Sequence, residues 1–408
     1  MSVKTVLNSI EEIKEWQEET YKYLHSHPEL SMQETQTAQF IYETLESYGY
    51  ATQKIGGGVV GVMENGQGPN VLFRADMDAL PVKEETGLDY ASHVVMTDLD
   101  GNTVPVMHAC GHDVHITAGL GAAWAMANNK EDWSGTYIAL FQPGEEIAAG
   151  AKAMIEDGLF DKIPHPEVAL GQHVVTDPVS GKVGTFDGPF LSSAASLKIT
   201  IHGKGAHGSM PNLSIDPIVL GSSIVMKLQT IVAREVDPFK FAVVSVGSFQ
   251  SGLKANIIPD TATLLLNIRT YDEEVQKQLI DSIKRICESE CQAGGCQQAP
   301  DIEIYDAYPL TANDPEVTKK VTASMTNHLG QERVLKEYHP MTASEDFSYI
   351  PRALGIPYLF WGFGGFTEDQ EVYANHNPKF APAIQPTLET GTQAAIVAVL
   401  TYLGNNKN

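Results

Sequence analysis

Phe186-Asp187-Gly188-Pro189-Phe190 divides this sequence into two kinds of order. A Gly-Pro pair between aromatic residues is a turn or linker signal. On its N-terminal side, apolar β-rich runs alternate with helical patterns. Val71-Leu72-Phe73-Arg74-Ala75, Thr136-Tyr137-Ile138-Ala139-Leu140-Phe141 and Val168-Ala169-Leu170-Gly171-Gln172-His173 read as buried strands. Asp113 to Asn128, rich in Ala, Leu and Ile, reads as a helix. Such alternation predicts an α/β sheet with helices on both faces.

On the C-terminal side the order changes. Leu197 to His202 alternates as a strand does, and Asp216-Pro217 opens a helix with an N-cap and a first-turn proline. Ile218, Val225, Leu228 and Val232 fall on one face of that helix. Strands follow at Ala242 to Phe249 and Thr261 to Thr270. Asp272-Glu273-Glu274 then starts a second helix, where acids suit the N-terminal dipole, and Asp301 to Tyr305 closes the set. The order is β-α-β-β-α-β, the ferredoxin-like arrangement. After Tyr308-Pro309 the first rhythm resumes and ends in a helix from Pro386 to Leu403. The expected fold class is α/β: a mixed sheet flanked by helices over 1–190 and 306–408, with a ferredoxin-like α+β domain inserted at 191–305.

The 408 residues are 43% hydrophobic and 19% charged, enough for a sizeable core, which excludes a disordered or fibrous chain. The net charge of −24 repels nucleic acid and acidic membranes, so neither is expected as a partner. No apolar run approaches the roughly 18 residues of a membrane span. Met1-Ser2-Val3-Lys4 leads into an amphipathic helical pattern rather than a cleavable leader, so a soluble cytoplasmic protein is expected. Cys110, Cys287, Cys291 and Cys296 are too few for a disulfide framework, and Cys287 and Cys291 continue the apolar stripe Val275, Leu279, Ile283.

Gly56-Gly57-Gly58-Val59-Val60-Gly61 has the spacing of a dinucleotide fingerprint but precedes a strand rather than a helix, and it reads as a glycine-rich hairpin. Met107-His108-Ala109-Cys110-Gly111-His112-Asp113-Val114-His115 is the stronger signal. It sets three imidazoles, a thiol and a carboxyl at a helix start, a donor mixture that selects a transition metal or zinc over magnesium or calcium. Phe141-Gln142-Pro143-Gly144-Glu145-Glu146 runs an apolar strand into paired carboxylates. On extended backbone the two glutamates point to opposite sides, so one ligates while the other faces water or substrate. Arg74, Asp76 and Asp78 share a strand face, as a salt bridge or as the floor of a site. His173 ends an apolar strand, and His376 lies in Asn375-His376-Asn377-Pro378. In the inserted region, His207 sits in Gly203-Lys204-Gly205-Ala206-His207-Gly208-Ser209-Met210-Pro211, a flexible loop or a site of close approach. Arg269 shares a face with Asn267, either to clamp a carboxylate or as a solvated strand residue. Phe360-Trp361-Gly362-Phe363-Gly364-Gly365 reads equally as an acyl pocket or as core and turn.

Taken in order, these segments resemble the M20 metallopeptidase family, in its amidohydrolase branch of aminoacylases, hippurate hydrolases and auxin-conjugate hydrolases. Within that branch they look most like enzymes acting on acyl-glutamine-type substrates. The resemblance rests on Arg74 to Pro81, His108 to Asp113, Pro143 to Glu146, Gly171 to His173, Gly203 to Pro211, Ser344-Glu345-Asp346-Phe347 and Asn375-His376. It implies a metal site of Cys110, His112, Glu146, His173 and His376, with Glu145 as general base and Asp78 orienting a ligand imidazole. The cofactor implied is a divalent transition metal, one or two ions per subunit, zinc first with manganese, cobalt or nickel as alternatives. The wider family carries a histidine where this chain has Asp76. The resemblance further implies a homodimer through the inserted domain. His207 would stabilise an oxyanion in the partner subunit's site, and Asn256 and Arg269 would hold the substrate carboxylate. The implied activity is cleavage of N-acyl amino acids to a carboxylic acid and a free amino acid. A metallo-dipeptidase or carboxypeptidase is the alternative within enzymes, and a non-catalytic metal- or amino-acid-binding protein the alternative outside them.

Overall fold

The computed structural model describes residues 2–336 and 338–405. Two compact units emerge. The first comprises the residues through Phe190, Ala312–His339 and the chain from Asp346 on; the second comprises Leu191–Thr311 and Pro340–Glu345.

In the first unit an eight-stranded mixed sheet runs in the order Ala51–Ile55, Gly58–Asn65, Gly135–Gln142, Asn70–Asp76, Val168–Ser180, Tyr358–Gly364, Val183–Gly184, Val334–Leu335. Its four central strands, from Gly135–Gln142 to Tyr358–Gly364, are mutually parallel. Three of them are almost wholly buried, as expected of strands covered on both faces, and Val168–Ser180 is buried over its first half. The helices His112–Asn128 and Thr387–Leu403 are apolar nearly all round and pack into this core. Gly56 and Gly57, both at positive φ, turn the hairpin between the first two strands. The register Asp76↔Gln142 and Arg74↔Gly171 brings the carboxyl ends of two parallel strands level with the His173 region of a third. Ligand sites of open α/β sheets gather there.

Phe360, Trp361 and Phe363 are fully buried in the strand Tyr358–Gly364, and Phe360 packs against Phe347. That segment is core, not the lining of an acyl pocket. His173 does not end its strand either. Pairing continues past it, His173↔Gly362 and Val174↔Phe363, so it sits mid-strand beside the end of Asn70–Asp76.

The second unit holds a four-stranded antiparallel sheet in the order Ala242–Gln250, Thr261–Thr270, Ser193–His202, Asp301–Tyr308. Helices Pro217–Thr230 and Glu273–Ala293 share one apolar core with it. The carboxyls of Asp216 and Asp272 cap these helices, accepting from the backbone N–H groups of Ile218 and Val219 and of Glu274 and Val275. Of the face expected from the sequence, Leu228 is buried and Val225 packs against the core, but Ile218 and Val232 are exposed, and Gly221 and Ile224 are buried instead. Gly221 explains the rotation: a Cβ there would lie 2.6 Å from the Phe249 ring, so the sheet approaches where the side chain is missing. Cys287 and Cys291 lie in the core, and all four cysteines are free thiols.

Candidate metal centre and active site

Two strand ends and the middle of a third strand deliver polar groups into a buried site. After Asn70–Asp76 come Asp76 and Asp78; after Gly135–Gln142 comes the turn with Glu145 and Glu146; His173 comes from Val168–Ser180. The helix His112–Asn128 adds His112 and His115, and Cys110 precedes it. Gly111, at φ +80°, makes the entry: a Cβ there would lie 2.4 Å from Val174 Cγ1, so only glycine lets this turn close on the His173 strand. His376 arrives on a loop at φ +69°, its N–H bonded to the Ala109 carbonyl at 2.7 Å.

The hydrogen-bond partners assign the imidazole tautomers. His112 Nδ1 lies 3.1 Å from Asp78 Oδ1, and its Nε2 is buried and without a hydrogen-bond partner. His173 Nδ1 donates to the Val174 carbonyl at 2.7 Å, and its Nε2 faces Cys110 Sγ at 3.5 Å. His115 differs. Its Nδ1 donates to Asp76 Oδ1 at 2.5 Å and its Nε2 accepts from Val174 N–H at 2.8 Å, so both nitrogens are used. Asp76 is used as well, bonded to His115 and, at 2.6 Å, to Arg74. Arg74 is wholly buried and also binds Gln142 and Asp346, tying the strand ends together.

Cys110, Glu146 and His376 offer ligand atoms within 4.8 Å of one another; so do His112, Glu145 and Glu146, and so do Asp76, His112, His115 and His173. The groups adjoin through Cys110–His173, at 3.5 Å, and His112–Glu146, at 3.8 Å. The five side chains expected as ligands therefore converge, with the buried Glu145 beside them. Two buried atoms, His112 Nε2 and Glu146 Oε1, have no hydrogen-bond partner and lie 3.8 Å apart. Unsatisfied buried donors and acceptors of this kind, in a thiol, imidazole and carboxylate set, fit a transition-metal ion. The glutamates do not lie on extended backbone, as the sequence suggested. Gly144 at φ +57° turns the chain into a short 3₁₀ turn, Glu145–Ile147, which keeps both carboxylates on the same side near His112.

The electrostatics differ from one expected ligand to the next. Burial, reinforced by the neighbouring His115, holds the His173 imidazole well below its usual value and hence neutral, as a ligand must be. Hydrogen bonds to Cys110 and Glu146 push His376 up to about 10. Burial would raise Asp76, but the neighbouring His112, His115 and Arg74 outweigh it and hold the carboxyl well below the usual range. Burial also raises Glu34, together with the charge of Asp78, to about 8.

The three expected substrate contacts lie in the second unit. His207 belongs to a two-stranded ribbon, Ala206–His207 against Ile257–Ile258, Asn256 precedes its second strand, and Gly208 N–H donates to the Asn256 carbonyl at 2.8 Å. His207 is exposed, and its Nδ1 accepts from Ser209 N–H at 3.2 Å, which leaves the proton on Nε2. Arg269 bonds Asn267, the Thr342 carbonyl and Ser344. His115, Ser31, Glu34 and Gln142, none of them assigned a role from the sequence, also support this site. Only His115 carried a signal, its place in the histidine cluster.

A model of the peptidase family M20/M25/M40 matches residues 72–400. This chain belongs to that family. It is accordingly a metal-binding hydrolytic enzyme of the amidohydrolase kind. It is 38% identical to a hippurate hydrolase of Campylobacter jejuni over 364 residues, 87% of this chain and 90% of the relative. It is 36% identical to thermostable carboxypeptidase 2 of Saccharolobus solfataricus over 388 residues, 93% of each. A solved structure of the Bacillus subtilis YXEP protein, described as a dinuclear metal binding peptidase from the M20 family, superposes with TM-score 0.78 at 27% identity, covering 96% of this chain and 99% of that one. No helix among the described residues is long and apolar enough to cross a membrane.

Proposed function

We propose that this protein hydrolyses the amide bond of N-acyl amino acids, releasing a carboxylic acid and a free amino acid. The observation that carries the reading is the convergence of Cys110, His112, Glu146, His173 and His376 around unsatisfied buried atoms, with the Glu145 carboxylate alongside. Likeness to a hippurate hydrolase supports the acyl-amino acid class.

Those five side chains would hold the metal. Ligand groups that adjoin through Cys110–His173 and His112–Glu146 favour two ions, and the donor mixture favours zinc over manganese, cobalt or nickel. When bound, such a metal polarises the amide carbonyl and makes water acidic enough to ionise near neutral pH. Glu145 takes the proton of the attacking water and delivers it to the leaving amine. Asp78 holds His112 by its Nδ1 proton and so keeps Nε2 available as a ligand atom. His207 Nε2–H stabilises the oxyanion, and Arg269 with Asn256 holds the substrate carboxylate, giving local positive charge on a chain of net charge −24.

The inserted domain dimerises the chain and brings His207 into the partner subunit's site. Support comes from Ala242–Gln250, an edge strand paired on one side only, and from the exposed Val219 and Met226 on the neighbouring helix. Four free thiols support a reducing, cytoplasmic setting.

Zinc-loaded protein should release glycine from N-benzoylglycine, and Glu145→Gln should keep its metal and fold while losing turnover by several orders of magnitude. Activity of that variant within about tenfold of wild type would refute the assignment of the base. The likeness to a carboxypeptidase supports a second reading, peptide cleavage beside a free carboxylate. Faster turnover of N-benzyloxycarbonyl dipeptides than of N-benzoylglycine would favour it.

A further inference from the structure

Glu29-Leu30-Ser31-Met32-Gln33-Glu34 lies outside the 72–400 stretch that matches the family model, yet it folds against two of the strand ends that build the site. The Glu29 carbonyl accepts from Ala79 N–H at 2.8 Å, and Ser31 Oγ donates to Asp78 Oδ2 at 2.7 Å. Glu34 is buried, and its Oε1 accepts from Gly144 N–H at 2.7 Å. Met32, itself at φ +61°, lays its thioether against the same glycine: a Cβ on Gly144 would lie 2.5 Å from Met32 Sδ. The Gly144 carbonyl in turn accepts from Ala149 and Gly150 N–H, each at 3.1 Å. Gly144 is thus held at its N–H, at its Cα and at its carbonyl.

We propose that Glu34 is a positioning residue for catalysis, whose buried carboxyl fixes the Gly144 peptide plane and thereby aims the Glu145 carboxylate at the attacking water. The inference rests on the assignment of Glu145 as base. A left-handed glycine has no side chain to restrain it, so external contacts set the orientation of its peptide. Glu145 is the next residue, at the start of the 3₁₀ turn, and a rotation at Gly144 swings its carboxylate directly. The Glu34 bond is made in a buried setting, where losing the acceptor leaves the Gly144 N–H unsatisfied and the turn free to settle elsewhere. A reacting group misplaced by about 1 Å loses on the order of 100-fold in rate.

The experiment compares Glu34→Asp, Glu34→Gln and Glu145→Gln in zinc-loaded enzyme, reading kcat and KM for N-benzoylglycine and zinc per subunit. Glu34→Asp withdraws the acceptor by roughly 1.5 Å, one carbon–carbon bond. It should lower kcat about 10- to 100-fold with KM within twofold and zinc content unchanged. Glu34→Gln keeps an acceptor oxygen at the same reach and should stay within about threefold of wild type. A merely structural role would not split kcat from KM, nor be rescued by glutamine. The proposal is overturned if Glu34→Asp keeps wild-type kcat, if its loss tracks loss of zinc, or if Glu34→Gln falls equally far. Should Glu34→Asp fail to fold, Glu34→Asn makes the same retraction without a charge and is judged by the same outcomes; failure of both to fold beside an active Glu34→Gln also overturns it. An active Glu145→Gln refutes the base itself, whereas an inactive Glu145→Gln beside an unaffected Glu34→Asp refutes only the role of Glu34.

Discussion

Asp78→Asn isolates the link between hydrogen bonding and metal affinity. Both Asp78 oxygens accept: Oδ1 from His112 Nδ1 at 3.1 Å, and Oδ2 from Ser31 Oγ at 2.7 Å and Glu146 N–H at 3.0 Å. Asparagine has the same shape but one acceptor oxygen, so either orientation sets its NH₂ against a donor. Facing Ser31 and Glu146, it loses the bond that seats the Glu146 backbone. Facing His112, it forces the ring to accept at Nδ1 and to carry its proton on Nε2, the atom that must ligate. A hydrogen bond to a charged group is worth about 1.5–3 kcal/mol. At about 1.4 kcal/mol per factor of ten, this corresponds to a loss of about 10- to 100-fold in zinc affinity. Chelator competition on purified wild-type and variant protein measures it, and thermal unfolding checks the fold. Unchanged zinc affinity in folded Asp78→Asn would refute the orienting role of Asp78.

Two further outcomes follow from the geometry. His25 Nδ1 and Nε2 face two carboxylates, Asp113 at 2.7 Å and Glu84 at 3.0 Å, so only the doubly protonated ring satisfies both. Burial lowers His25, but those hydrogen bonds outweigh it and raise it from 6.5 to about 9. Its contribution to stability is full below pH 6.5 and is lost as pH rises through about 9. The urea-unfolding difference between wild type and His25→Gln should shrink by about 3 kcal/mol between pH 6 and pH 10, and a difference equal at both would contradict this. For action across a dimer, mixing the inactive variants Glu145→Gln and His207→Ala should restore part of the activity by assembling one intact site. No rescue after demonstrated subunit exchange would contradict the role of His207 in the partner's site.

Much of the fold was legible because its signals are local. Asp216 and Asp272 announced their helices as caps, and the strand ends carried their polar residues in short motifs. What was not legible depends on neighbours distant in sequence. The buried face of Pro217–Thr230 is set by the approach of Phe249 to Gly221, and periodicity alone carries no information about that contact. Pairing with Tyr358–Gly364 extends the His173 strand, and the left-handed Gly144 folds Glu145 and Glu146 to one side. Ligand candidates stood out as clustered donors. Their supports, Ser31 and Glu34, sit in ordinary polar sequence and reveal a role only through contacts 47 and 110 residues away.

The central claim is that five side chains from four separate places in the chain grip catalytic metal while Glu145 stays beside it. Anomalous diffraction at the zinc edge, from crystals grown with zinc, tests it most directly. The account predicts peaks bounded by Cys110, His112, Glu146, His173 and His376, with the Glu145 carboxylate outside the coordination sphere. An absence of signal there, or a peak elsewhere in the protein, would contradict it.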